Sequence, residues 1–189
     1  SYHRPEPFFV LATQNPIEQE GTYALPEAQQ DRFMFFLHVR YPELDEELEI
    51  VRRTTSNQRA ELKAVLHAEE ILAAQRWVRD ISCPDHVIAY AVKLARMSRI
   101  DRGLEGEGTI PDFIRQYVEW GAGPRAAQFL ILGAKAKAFL DGRPHASEAD
   151  VRAVAVPVLR HRIIVNFNAE AERLTSLDII NRMIAALEK

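Results

Sequence analysis

Only one cysteine, Cys83, stands among the 189 residues of this chain. That excludes an internal disulfide, and a lone thiol fits a reducing cytoplasm. Cys83 precedes Pro84 and has no partner histidine in sight, so it reads as a packed or capping thiol rather than a nucleophile. No apolar run approaches the ~20 residues that span a bilayer, and no secretory signal pattern opens the chain. Lys and Arg number 24 against 27 Asp and Glu, a net charge of −3, so the basic footprint of a nucleic-acid groove is lacking. His145 and His161 lack metal-ligand spacing to any other His or Cys and read as structural. Two further absences concern nucleotides. No G-x-x-x-x-G-K-[ST] loop occurs to cradle phosphate, and no apolar run ends in Asp-Glu to hold Mg²⁺. The stretch Gly103 to Gly108 has glycines but no lysine, and Glu105 and Glu107 would repel phosphate, so it reads as a surface loop.

What is present is an ordinary globular composition, 47% apolar and 27% charged, with most information in Phe8 to Leu37. Phe8 to Ala12 is a continuous apolar run of the kind that forms a strand buried on both faces. It stops at the polar tip Thr13-Gln14-Asn15-Pro16, the position where open α/β sheets place ligands. Pro26 suits the first turn of a helix, Glu27 to Arg32 continues it, and Phe33 to Leu37 is a second apolar run read as a strand. From residues alone, Asn15 before Pro16 also fits a turn. Arg32 beside Asp31 also fits a surface ion pair worth about 0–1 kcal/mol.

Helical periodicity dominates the rest. Glu43 to Arg53 carries Leu44, Leu48 and Val51 on one face, acids at its start and Arg52 and Arg53 at its end, each matched to the helix dipole. Thr54 to Arg59 is a polar break and the domain boundary of this reading. Glu69 to Ile81 and Asp85 to Arg99 follow as amphipathic helices, then a loop from Ile100 to Ile110. Asp112 to Trp120 fits either a short helix or an extended segment. Gly121-Ala122-Gly123-Pro124 reads as a tight turn into a helix from Ala126 to Leu140, with Gly142 as stop signal. Ser147 caps a helix expected to end near Pro157. Ile163 to Phe167 reads as extended, with a turn at Asn166 to Asn168, and Thr175 caps a last helix to Leu187.

Arg125 falls in the first turn of its helix. A cation there opposes the helix dipole at a cost of about 0.3–1 kcal/mol, and an anion held at that helix start would offset it. The alternative is an arginine that snorkels to solvent or pairs with Asp112 or Glu119.

The segment ATQNPIEQEGTYALPEAQQDRF resembles the part of MoxR-type AAA+ ATPases that carries sensor 1 and the arginine finger. WGAGPRAAQFLILGAKAKAFL resembles their sensor 2 helix, and PVLRHRIIVNFNAEAE the end of their lid. The resemblance covers most of the chain and is weakest from Thr55 to Gly108. It implies a mainly α fold: a helical lid, residues 55–189, preceded by a strand–helix–strand remnant of the α/β P-loop core, residues 1–54. It implies that Asn15 orients the attacking water, Arg32 reaches a neighbouring subunit's ATP in trans, and Arg125 contacts phosphate in cis. An amide holds water without adding charge, and a guanidinium fork matches phosphate oxygens. ATP and Mg²⁺ would be held by a longer parent, since SYHRPEPFFVL resembles a cut just upstream of the sensor strand, and this segment by itself should not hydrolyse ATP. A ring, a hexamer by resemblance, a client protein, a VWA-type partner and chaperone-like maturation or metal cofactor insertion are implied likewise. A non-enzymatic helical interaction module is the competing reading. Nucleic-acid remodelling is disfavoured by the charge.

Overall fold

The computed structural model describes residues 5–14, 25–57, 62–100 and 110–188. Its first helix, α1, is one short turn, Glu27–Gln30, with Pro26 as N-cap. Helix α2 (Leu44–Thr54) closes a capping box in which Glu46 accepts from the Glu43 N–H at 3.0 Å. Helix α3 (Ala68–Asp80) and α4 (Asp85–Met97) follow.

Asp112 to Trp120 does both things the sequence allowed. Asp112–Tyr117 is helix α5 and Val118–Trp120 is strand β1. Helix α6 (Pro124–Leu140) stops at Gly142, whose φ of +69° is the left-handed conformation that ends helices. Helix α7 (Glu148–Leu159), strand β2 (Ile164–Val165), helix α8 (Phe167–Ala171) and helix α9 (Ser176–Leu187) complete the order. Strands β1 and β2 pair antiparallel, Val118 opposite Val165.

The core belongs to the helical bundle. Leu94 of α4, Leu130 of α6, Leu159 of α7 and Ile179, Ile180 and Met183 of α9 are fully buried. Helix α6 presents Ala126, Gly133, Ala134 and Ala138 to this core. These small residues let α7 approach closely: a β-carbon added at Gly133 would stand 3.2 Å from Val154. Buried Asp150, in the first turn of α7, accepts from Arg143 and from the Ser147 hydroxyl and N–H.

Three expectations are corrected. Phe8–Ala12 and Phe33–Leu37 form no ladder among the described residues. Phe9 and Leu11 are 79% and 81% exposed. A strand needs a hydrogen-bonded neighbour, and these two runs do not supply one to each other. Helix α7 runs through Pro157 to Leu159 rather than ending there, because fully buried Val158 and Leu159 reward the continuation. The turn foreseen at Asn166 to Asn168 is instead the start of α8, with the Asn166 side chain accepting from the Ala169 N–H at 3.2 Å. The predicted face of α2 exists, but Leu44, Leu48 and Val51 are 72%, 45% and 52% exposed. The loop expected at 100–110 falls, between 101 and 109, outside the described residues.

Candidate functional site

Arg125 owes its place to the end of α4. The buried Ser98 hydroxyl donates to Ala95 O at 2.7 Å and accepts the Ala122 N–H at 2.8 Å. Arg99 Nε donates to Ala122 O at 2.8 Å. Gly121 lies so close to Ser98 that a β-carbon there would meet its carbonyl oxygen at 2.2 Å, whereas nothing lies within 4 Å of one at Gly123. The first glycine of the turn is thus required by contact and the second is not. The turn delivers Gly123 as N-cap and Pro124 as first residue of α6, with Arg125 next.

From there Arg125 Nη1 donates to Asp31 Oδ2 at 2.7 Å. Neither Asp112 nor Glu119, the partners considered from sequence, takes that place. The anion expected near this helix start is a carboxylate of the same chain. Its other oxygen, Oδ1, accepts from Arg162 Nε at 2.8 Å. One carboxylate therefore joins two arginines of the helical bundle, with different consequences. The Arg125–Asp31 pair is 44% and 30% exposed, in the range worth about 0–1 kcal/mol. The Arg162 side chain is 1% exposed. Burial pulls its guanidinium down from its ordinary value and the Asp31 hydrogen bond pulls it back up, and an arginine so paired stays charged.

Arg162 also reaches the backbone. Its Nη2 donates to Asp31 O at 2.8 Å and Phe33 O at 2.6 Å, its Nη1 to Met34 O at 3.3 Å and to Val158 O, and its Cζ lies 5.0 Å from the Phe129 ring centroid. His161 Nε2 lies 3.1 Å from Phe33 O, and the ring stacks on Phe36 at 6.0 Å. Burial, and then the Arg162 charge, push this imidazole down to about 4. It is neutral at pH 7, and since Phe33 O can only accept, Nε2 carries the hydrogen.

Arg32 follows Asp31 directly, with Cα atoms about 3.8 Å apart. Its side chain is exposed. Asp31, the partner proposed for it from sequence, is engaged by Arg125 and Arg162 instead. Asn15 lies outside the described residues. Arg125 is thus bonded to the residue that precedes Arg32 in the chain. Two arginines share one carboxylate and a third follows it in sequence, and this local excess of positive charge suits a phosphate. The described residues do not suit Mg²⁺ in the same way: among them no three His, Cys, Asp or Glu converge.

Sequence reasoning missed two residues here. Asp31 was read only as a neighbour of Arg32. Arg162, in LRHRI, was passed over, although an arginine inside a strongly apolar stretch is a signal in itself, since it must be paired to be buried.

Residues 113–183 match the model of the AAA lid domain, and residues 1–35 match that of the ATPase family associated with various cellular activities. Over 184 residues the chain is 34% identical to the chaperone MoxR1 of Mycobacterium tuberculosis, covering 97% of this chain and 47% of that protein. It is 30% identical over 168 residues to protein MoxR of Methylorubrum extorquens, covering 82% of this chain and 47% of that protein. A crystal structure of a candidate ATPase from Cytophaga hutchinsonii superposes with a TM-score of 0.85 at 36% identity, over 97% of this chain and 55% of that one. The chain spans about half the length of these relatives. By fold and by sequence, the chain belongs to the MoxR-type AAA+ ATPases.

Proposed function

We propose that this chain supplies the phosphate-reading arginines of an ATP-hydrolysing ring, and that Arg32 and Arg125 address the same phosphate. The observation that carries this is the 2.7 Å bond between Arg125 and Asp31, the residue before Arg32. If Arg32 reaches the ATP of a neighbouring subunit, Arg125 stands on the same surface and reaches it too. That replaces the expectation that Arg125 acts in cis. The γ-phosphoryl transition state spreads negative charge over its oxygens, and two guanidinium groups from one surface match it better than one. ATP supplies the phosphoryl group and Mg²⁺ neutralises its charge; neither the P-loop nor the metal ligands are assigned to residues of this chain. Asn15 keeps its proposed role of orienting the attacking water. Residues 1–54 would belong to the α/β core and 55–189 to the lid.

The name of the Mycobacterium relative supports chaperone-like work on a client. A VWA-type partner, metal cofactor insertion, a hexameric ring and the cytoplasm, which the lone cysteine suits, complete the proposal. No helix among the described residues is long and apolar enough to cross a membrane.

Subunit mixing tests it in the longer protein that carries the P-loop. Arg32→Ala and Arg125→Ala subunits are each mixed with subunits mutated in the P-loop lysine. Recovery of ATPase in both mixtures is expected, because each site then borrows its arginines from the mutated neighbour. Recovery with Arg32→Ala alone returns Arg125 to the cis role. Recovery with neither removes Arg32 from trans catalysis.

A further inference from the structure

We infer that Arg162 is a positioning residue that fastens the turn bearing Arg32 to the lid, so that the finger moves with the helical bundle. The inference rests on the proposed role of Arg32 and adds what controls it.

The turn from Asp31 to Phe36 sits far from α7 in sequence, yet nearly all its non-local bonds run to the end of α7. Arg162 takes Asp31 by side chain and by carbonyl, then Phe33 O and Met34 O. His161 holds Phe33 O a second time. The Phe36 N–H donates to Pro157 O at 2.8 Å. Among the described residues, the turn's local backbone bonds are the short-range ones that follow α1: Asp31 to Glu27, Arg32 to Gln29 and Phe33 to Gln30.

The chemistry of Arg162 suits fastening rather than catalysis. A planar guanidinium with five donors can hold several fixed acceptors at once, and this one spends its donors on one carboxylate and backbone carbonyls. Its side chain is 1% exposed, so substrate cannot reach it. The three arginines of this cluster therefore divide the work. Arg32 is exposed to meet phosphate, Arg125 is exchangeable, and Arg162 is fixed. A rotation of the lid, such as nucleotide binding produces in two-domain motors, would carry the backbone of residues 31–36 along. Lid angle in one subunit would then set the position of that subunit's finger at its neighbour's ATP.

Two measurements on Arg162→Lys test this, since lysine keeps the charge and cannot bridge the same acceptors. In the 189-residue chain, exchange of the Phe36 amide is expected to accelerate at least tenfold, while the core amides of Leu130 and Val151 keep their protection. In the longer protein, kcat for ATP is expected to fall at least tenfold with nucleotide Kd within twofold, and the Arg32→Ala/Arg162→Lys double variant to be no slower than Arg32→Ala. An unchanged Phe36 amide, or equal acceleration throughout the lid, overturns the inference. So do additive losses in the double variant. Should Arg162→Lys not fold, Asp31→Asn, which keeps the size but replaces one acceptor oxygen by a donor and removes the charge, is read in the same way. If Arg32→Ala itself leaves ATPase intact, the reading of the finger has failed, and the fastening is judged on amide exchange alone.

Discussion

Arg125 and Asp31, 94 residues apart in sequence, meet at 2.7 Å. The contact closes the start of α6 onto the turn that carries Arg32. It is half-exposed and single-bonded, which makes it weak enough to exchange for a phosphate. The same carboxylate meets Arg162 in a buried, multiply bonded contact.

Two arginines on one carboxylate should therefore respond oppositely to truncation. Arg125→Ala is expected to shift stability by no more than about 1 kcal/mol and to weaken nucleotide affinity of the longer protein at least tenfold. Arg162→Ala is expected to cost more, about 1–3 kcal/mol, because the carbonyls of Asp31, Phe33 and Val158 lose their donor. Urea titration and nucleotide binding on the two variants check the contrast. Equal stability losses would show that burial does not separate the pairs.

Gly121 and Gly123 should separate as sharply. Gly121→Ala places a methyl 2.2 Å from Ser98 O, which the backbone cannot yield without moving the start of α6. A loss of about 1–3 kcal/mol is expected, with weaker nucleotide binding because Arg125 moves with the helix. Gly123→Ala meets nothing within 4 Å and has φ −72°, and an N-cap alanine in place of glycine should cost well under that. Thermal melts of the two variants decide it.

Stability should decline in mild acid through His161. Its folded value lies at about 4, below the ordinary value near 6.5, so the unfolded chain takes up the proton first. Stability is full above about pH 6.5, falls between about 6.5 and 4, and levels off below. The loss is about 1–3 kcal/mol after discount for the partly exposed ring. His161→Gln, whose amide can still donate to Phe33 O, should flatten this window in urea titrations at a series of pH values.

A second acid step should come from Asp150, whose carboxyl the Arg143 guanidinium holds well below the usual range. This folded value is depressed, so its stabilisation is present above about pH 4 and lost as pH falls further. Asp150 is 4% exposed, and Arg143→Ala, which leaves it buried beside only Ser147, should lower stability. The melting temperature of Arg143→Ala at neutral pH checks this.

Much of the fold was legible because it depends on local signals. The stripe in α4, the stop at Gly142 and the caps at Ser147 and Thr175 each act within a turn or two of chain. The apolar runs at Phe8 and Phe33 were misjudged because strand character needs a neighbour that local sequence cannot name. Pro157 was misjudged because burial of Val158 and Leu159 outweighs the lost hydrogen bond. At the site, Arg32 and Arg125 were singled out through motif and helix position. Asp31 and Arg162 were not, because their role exists only once residues 131 positions apart are in contact.

Sequence alone determined most of the longer helices, where Arg125 sits in its helix, and the family to which the chain belongs, since these follow from spacing and short motifs. Tertiary structure alone decided that Arg125 and the Arg32 turn share a carboxylate, and that a buried arginine holds that turn to the bundle. The physical reason is that a charge becomes structural only when packing removes its water and supplies partners, and packing is a property of residues far apart in the chain.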